Sequence, residues 1–208
     1  MEAFMYRCHP QTARLVEILR SGVIGQVGII SATFSFNAGF NPDGRLQNQA
    51  LGGGGILDVG CYCASMVRLV AGVATGGNAP AEPLDVKGHG RLGDVTRVDE
   101  YAAATALFPG GIVAQLATGI RLAQENVVRI YGSEGSMLIP EPWVPSRDGG
   151  TTLDVDREIT LCEAVNSDLG YPASVQLADG SILTVYYQDP GPDRDTCVWT
   201  THWRLVDE

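Results

Sequence analysis

A chain of 208 residues, 45% of them hydrophobic, has material for one full core or a core with a small appendage. The net charge of −10 and a pI near 4.7 argue against nucleic acid and anionic membrane surfaces, and Lys87 is the only lysine among 14 basic residues. No run approaches the ~18 apolar residues of a membrane span, the N-terminus does not read as a signal peptide, and five cysteines without a CxxC spacing fit a reduced, cytoplasmic chain with no metal site.

Taken in order, residues 3–8 read as a short buried strand. His9-Pro10 opens a helix whose apolar face is Ala13, Leu15, Val16, Ile18 and Leu19, and Ser21-Gly22 ends it. Residues 27–36 are rich in β-branched and aromatic side chains and read as a strand, followed by a polar loop over 37–50 that contains Arg45. Four glycines, Gly52 to Gly55, then run into a segment with helical spacing through about Val70. In this helix Asp58, Tyr62 and Ser65 share one stripe, while Val59, Cys63, Met66, Val67 and Val70 form the neighbouring core stripe. An acid and a phenol four residues apart, at the edge of a buried face and beside a glycine run, suit proton transfer.

Beyond a Gly/Ala/Pro linker over 74–83 the period becomes alternating. Strands are expected over 84–92, 98–108, 112–121, 126–131, 136–140 and 151–162, with turns at 109–111 and 132–135. The small residues after Tyr101 suggest close packing of helices on that sheet face. Residues 166–172 read as a loop, and three short strands follow over 173–177, 182–188 and 196–204, with a tight turn at 178–181. The expected fold class is α+β. A large, mostly antiparallel open sheet carries two or three helices on one face, with a short all-β appendage at the C-terminus. The expected division is residues 1–165 and 166–208.

Three stretches carry a resemblance. They are residues 2–11 (Glu2 to Gln11), the segment from Gly52 to Tyr62, and residues 124–135 (Gln124 to Gly135). Through them the first four fifths of the chain resembles the C-terminal, substrate-side domain of the glucose-fructose oxidoreductase / inositol dehydrogenase / rhizopine catabolism (Gfo/Idh/MocA) family, nearest its sugar and dihydrodiol dehydrogenases. The resemblance implies hydride exchange between NAD or NADP and a sugar or diol hydroxyl. It maps the family's acid–x₃–His/Tyr pattern onto Asp58 and Tyr62, with Tyr62 moving the substrate proton and Asp58 holding or polarising it. Tyr6, Arg7 and Arg45 are the candidate substrate-binding residues. Arg7 reads equally as a strand ion-pair partner or as a cleft contact, and Arg45 as a solvated loop residue or a substrate contact. The family's Glu-Lys-Pro lysine and its dinucleotide domain are not in this sequence, since no strand–GxGxxG–helix occurs. The expectation is therefore a substrate half that neither binds the cofactor nor turns over alone.

Residues 170–187, with the strand after Cys197, also resemble a piece of a sialidase-type propeller blade. Two alternative functions follow. One is a non-catalytic module that forms a homodimer through the open sheet face, since no helix is left to cover it. The other is a carbohydrate-binding fragment in the tail.

Overall fold

The computed structural model describes residues 4–144, 169–176, 181–188 and 197–203. The chain divides into two compact units, Tyr6–Gly150 and Met1–Met5 with Thr151–Glu208.

The first unit opens on a turn rather than on the expected strand over 3–8. Met5–Cys8 is a 3₁₀ helix. The Tyr6 carbonyl accepts the His9 N–H at 3.1 Å and the Thr12 hydroxyl at 2.6 Å, so local bonds take the place of a sheet ladder. Helix α1 (Pro10–Arg20) follows because His9 Nδ1 accepts the Gln11 N–H at 3.0 Å and Pro10 sits where an N–H is not needed. It buries Thr12, Leu15 and Leu19, and Gly22, at φ +70°, turns the chain out of it.

Six strands make one sheet: β1 (Val27–Ser35), β2 (Asp85–Leu92), β3 (Asp99–Leu107), β4 (Val113–Gly119), β5 (Val128–Gly132) and β6 (Ser136–Ile139). Their order is β2-β3-β4-β1-β5-β6. Only β1 and β4 pair in parallel; every other pair is antiparallel, as an α+β sheet requires. The parallel pair needs a long connection, and α2 (Cys61–Ala74), β2 and β3 supply it. Ile30, Ala32, Ala114, Val128 and Ile130 of the sheet are buried, α2 packs on β1 and β4, and Val59, Cys63, Met66, Val67 and Val70 are buried too. That is the core stripe expected from spacing. The helix continues to Ala74, past Val70, because Ala71 and Val73 are buried as well.

The two ends of the sheet differ. Every residue of β2 is exposed. Its helix-side residues Val86, Gly88 and Gly90, together with Ala102, Ala104 and Ala106 of β3, form the floor of an apolar groove of about 550 Å³ beside α2. The small side chains expected to seat a helix here lie at the bottom of this open groove. On the opposite face Leu107, Val113, Ile29 and Tyr131 are cross-strand neighbours on β3, β4, β1 and β5. They form an exposed apolar row, 40, 37, 42 and 44% accessible, that no described helix covers.

Residues Gln49–Ala74 together reach the length and hydropathy of a membrane span, contrary to the first reading of composition. Half of its most apolar 18 residues are buried inside the unit, and its α-helical part, α2, has 14 residues, or about 21 Å against a hydrocarbon core of about 30 Å.

The second unit contains a three-stranded antiparallel sheet, β7 (Leu169–Gln176), β8 (Ile182–Gln188) and β9 (Cys197–Trp203), in that order. Strand β7 starts within the expected loop over 166–172. The register shift between Gly170 and Ala173 leaves Pro172, which has no N–H, outside the ladder. The strand expected over 151–162 and most of the turn at 178–181 lie outside the described residues.

Met66 is 1% exposed. Met66→Ala is expected to lower stability by about 2–5 kcal/mol in urea titration. Leu57→Ala, at a position 66% exposed, is expected to shift it by less than about 0.5 kcal/mol.

Candidate active site

The glycine run is shaped by close backbone approaches. Gly52 (φ +72°) closes a 3₁₀ turn over Gln49–Leu51, in which the Asn48 side chain accepts the Ala50 N–H. The Gly53 and Gly54 N–H groups return to the carbonyls of Asn48 and Leu46, tying the run to the loop that carries Arg45. Gly54 holds φ +128°, and Asp99 at the start of β3 accepts the Ile56 N–H at 2.6 Å.

The helix does not begin as a regular α-helix. Ile56–Gly60 is a π-turn, with the Cys61 N–H reaching back to the Ile56 carbonyl. Such wider turns are common where a side chain must be re-aimed at a functional position. Asp58 lies inside the π-turn and Tyr62 just after it. Asp58, its side chain 14% exposed, accepts an ion pair from Arg45 Nη1 at 2.7 Å; the Arg45 side chain is 70% exposed.

Tyr62 lies deeper than the edge position that the stripe suggested. It is 6% exposed and sits in an aromatic box. Phe34 meets it edge-on at 5.4 Å and Trp143 at 6.2 Å, with the Tyr6 ring at 6.2 Å. Trp143 stacks on Phe34 and donates its indole N–H to the Thr33 carbonyl at 2.7 Å, which locks the box to β1. Tyr6 is fully buried, and its hydroxyl donates to Ser65 Oγ at 2.8 Å. Burial pushes the Tyr6 hydroxyl pKa up, against the lowering effects of the Ser65 hydrogen bond and of the Arg7 guanidinium beside it. Arg7 Nη1 is buried without a hydrogen-bond partner, one of two such side-chain atoms among the described residues.

The five residues singled out from sequence therefore fall into two neighbouring sets. Arg45 with Asp58 is a polar pair, and Tyr6, Arg7 and Tyr62 surround the aromatic box. The apolar groove includes none of the five, although Ile56 and Gly60 of the π-turn line its end. Phe34, Trp143, Asp99 and the π-turn were not found from sequence. Trp143 is 81 residues beyond Tyr62, and a lone tryptophan carries no spacing signal. Among the described residues no His/Cys/Asp/Glu group could hold a metal ion.

Cys63, on the buried side of the helix, has its thiol pushed up to about 12, chiefly by burial. The folded state thus favours the protonated thiol. That contribution is fully present below the ordinary value of 9.0, and it fades as pH rises from there toward about 12. Urea midpoints should fall over this range, and Cys63→Ala should flatten the slope. In a second test, Trp143→Ala should cost about 3–5 kcal/mol in stability. Arg45→Ala, at the exposed end of its ion pair, should cost less than about 1 kcal/mol.

The model of the GFO/IDH/MocA C-terminal domain matches residues 12–138. Among curated relatives, the uncharacterized oxidoreductase ORF334 of Rhizobium meliloti is 31% identical over 163 residues, 78% of this chain and 46% of its own. The trans-1,2-dihydrobenzene-1,2-diol dehydrogenase of Mus musculus is 30% identical over 146 residues, 70% of this chain and 41% of its own. Among solved structures, KijD10, a 3-ketoreductase from Actinomadura kijaniata in complex with NADP and TDP-benzene, aligns with a TM-score of 0.59 at 19% identity, over 98% of this chain and 49% of that one. The chain spans less than half the length of each.

Proposed function

The chain belongs to the GFO/IDH/MocA C-terminal domain family, and we propose that it supplies the substrate-side, proton-handling half of an oxidoreductase acting on a sugar or diol hydroxyl. One observation carries the reading. Asp58 and Tyr62 stand four residues apart across a π-to-α junction, with Asp58 held from the side by Arg45 at 2.7 Å. The diol and sugar classes come from the resemblance and from what the mouse relative is named for.

NAD or NADP, when bound, supplies the hydride acceptor. The described residues fit only one edge of such a group. Arg7 Nη1 is a buried, permanently charged donor without an acceptor, and it suits an anionic or carbonyl oxygen of cofactor or substrate. The glycine run is occupied with its own loop and with Asp99, and it offers no dinucleotide turn.

Oxidation of a carbinol requires loss of its hydroxyl proton, and in this reading Tyr62 takes it. Its ring is immobilised on three sides, so its hydroxyl is presented in one direction. Asp58, with its charge balanced by Arg45, orients or polarises that exchange from one turn before. Phe34 and Trp143 keep water from the ring. The Tyr6 hydroxyl, bonded to Ser65, lies beside the Arg7 guanidinium.

The test joins this chain to the dinucleotide-binding half of a relative and measures NAD(P)⁺ reduction with sugars and diols. Turnover is expected only in the joined protein. Tyr62→Phe should lower kcat by about 100-fold or more, and unchanged activity in that variant would overturn the assignment. The chain alone should give no enhancement of NADH fluorescence.

A second reading rests on the exposed row of Leu107, Val113, Ile29 and Tyr131. Four apolar side chains in line across four strands suit burial against a second copy of the same face. A homodimer in light scattering at micromolar concentration is expected, and Val113→Lys should dissociate it.

A further inference from the structure

We propose that Asp99 is a positioning residue that fixes where the Asp58 carboxylate stands. Its consequence for turnover rests on the reading of Asp58 and Tyr62 above. Asp99 opens β3, so it belongs to the sheet and not to the helix it touches. Its Oδ2 accepts the Ile56 N–H, the first residue of the π-turn, at 2.6 Å. Its Oδ1 lies so close to Gly54 that a Cβ there would collide with it, and a Cβ on Gly55 would come within 3.3 Å of Oδ2. The carboxylate is thus seated on bare backbone. Gly54 is called for both by this approach and by its φ of +128°, and a side chain on Gly55 would press on Asp99 and on the Gly119 backbone.

Asp58 is measured from the same backbone. Its N–H donates to the Gly54 carbonyl at 3.1 Å. Arg45, its ion-pair partner, is referred to that backbone too. The Gly54 N–H donates to the Leu46 carbonyl at 2.9 Å, and Gly53 passes so near that a Cβ would come within 2.7 Å of the same oxygen. Asp99 therefore pins the one segment from which both members of the Arg45–Asp58 pair take their positions. A negative charge at this helix start also suits the peptide dipoles. The essential part is the acceptor on Oδ2, which an asparagine side chain supplies as well.

The experiment follows the ¹³Cγ resonance of Asp58 by NMR in this chain. Arg45→Ala defines the shift of the unpaired carboxylate. Asp99→Ala should move the resonance most of the way to that value, and Asp99→Asn should leave it near the wild-type position. Asp99→Glu keeps the charge but pushes the carboxylate into the glycines, so it should move the resonance as well; it decides the matter if the alanine variant does not fold. In the joined two-domain protein, Asp99→Ala should lower kcat by about 100-fold with KM little changed, and Asp99→Asn should restore it. An Asp58 resonance unmoved by Asp99→Ala or Asp99→Glu, with only a lowered urea midpoint, would overturn the proposal and leave Asp99 as a helix cap. Because the NMR readout needs no turnover, it separates this inference from the oxidoreductase reading. An inactive joined protein in which the resonance still moves supports the positioning role and counts against the reaction alone.

Discussion

The arrangement of the first unit depends on one face of α2 being buried against the centre of the sheet. Cys63, Met66, Val67 and Val70 are each no more than 1% exposed, and they lie over strands that are themselves the least accessible. Removing that much apolar surface from water is the largest favourable term available to a domain of this size. It also fixes the rotation of the helix about its axis. Once those side chains point inward, Tyr62 must enter the aromatic box on one flank, and Ile56 and Gly60 must face the groove on the other. The polar residues follow from the apolar ones.

The helix start shows what the packing does not determine. A regular α-helix from Gly55 onward would satisfy the core stripe equally well. The π-turn at Ile56–Gly60 and the contacts of Asp99 and Arg45 are additional constraints, made by backbone and charge. They cost regular hydrogen bonding at the start of the helix that carries Asp58 and Tyr62. Local departures from regular geometry of this kind persist when surrounding contacts over-determine them.

Much of the fold was legible because it is periodic. The 3.6-residue spacing of Val59, Cys63, Met66, Val67 and Val70 marked the core face, and alternation marked the strands of the sheet. The same logic failed at residues 3–8, where apolar content suggested a strand but the Tyr6 carbonyl is satisfied by His9 and Thr12. It also placed the loop boundary too late at Leu169, because Pro172 reads as a breaker unless the register shift beside it is known. At the site, Asp58 with Tyr62 was visible as a spacing. Asp99 and Trp143 were not, since each makes its contacts with residues far away in sequence, and such contacts leave no local pattern. Part of the reason for Gly54 is likewise tertiary: beside its φ of +128°, a side chain there would collide with a carboxylate from another strand.

Strand β2 carries a consequence for the unit's local stability. It has one hydrogen-bonded neighbour, and all eight of its residues are exposed. Opening of this strand breaks one ladder and uncovers little apolar surface, whereas opening β1 or β4 would dismantle the centre of the sheet. Amide exchange should thus grade across the sheet, fastest at β2 and slowest around β1. The groove beside α2 inherits this gradient. One of its walls is the rigid helix and part of its floor is the strand that leaves first, so its extent is set by a local folding equilibrium and not by the core.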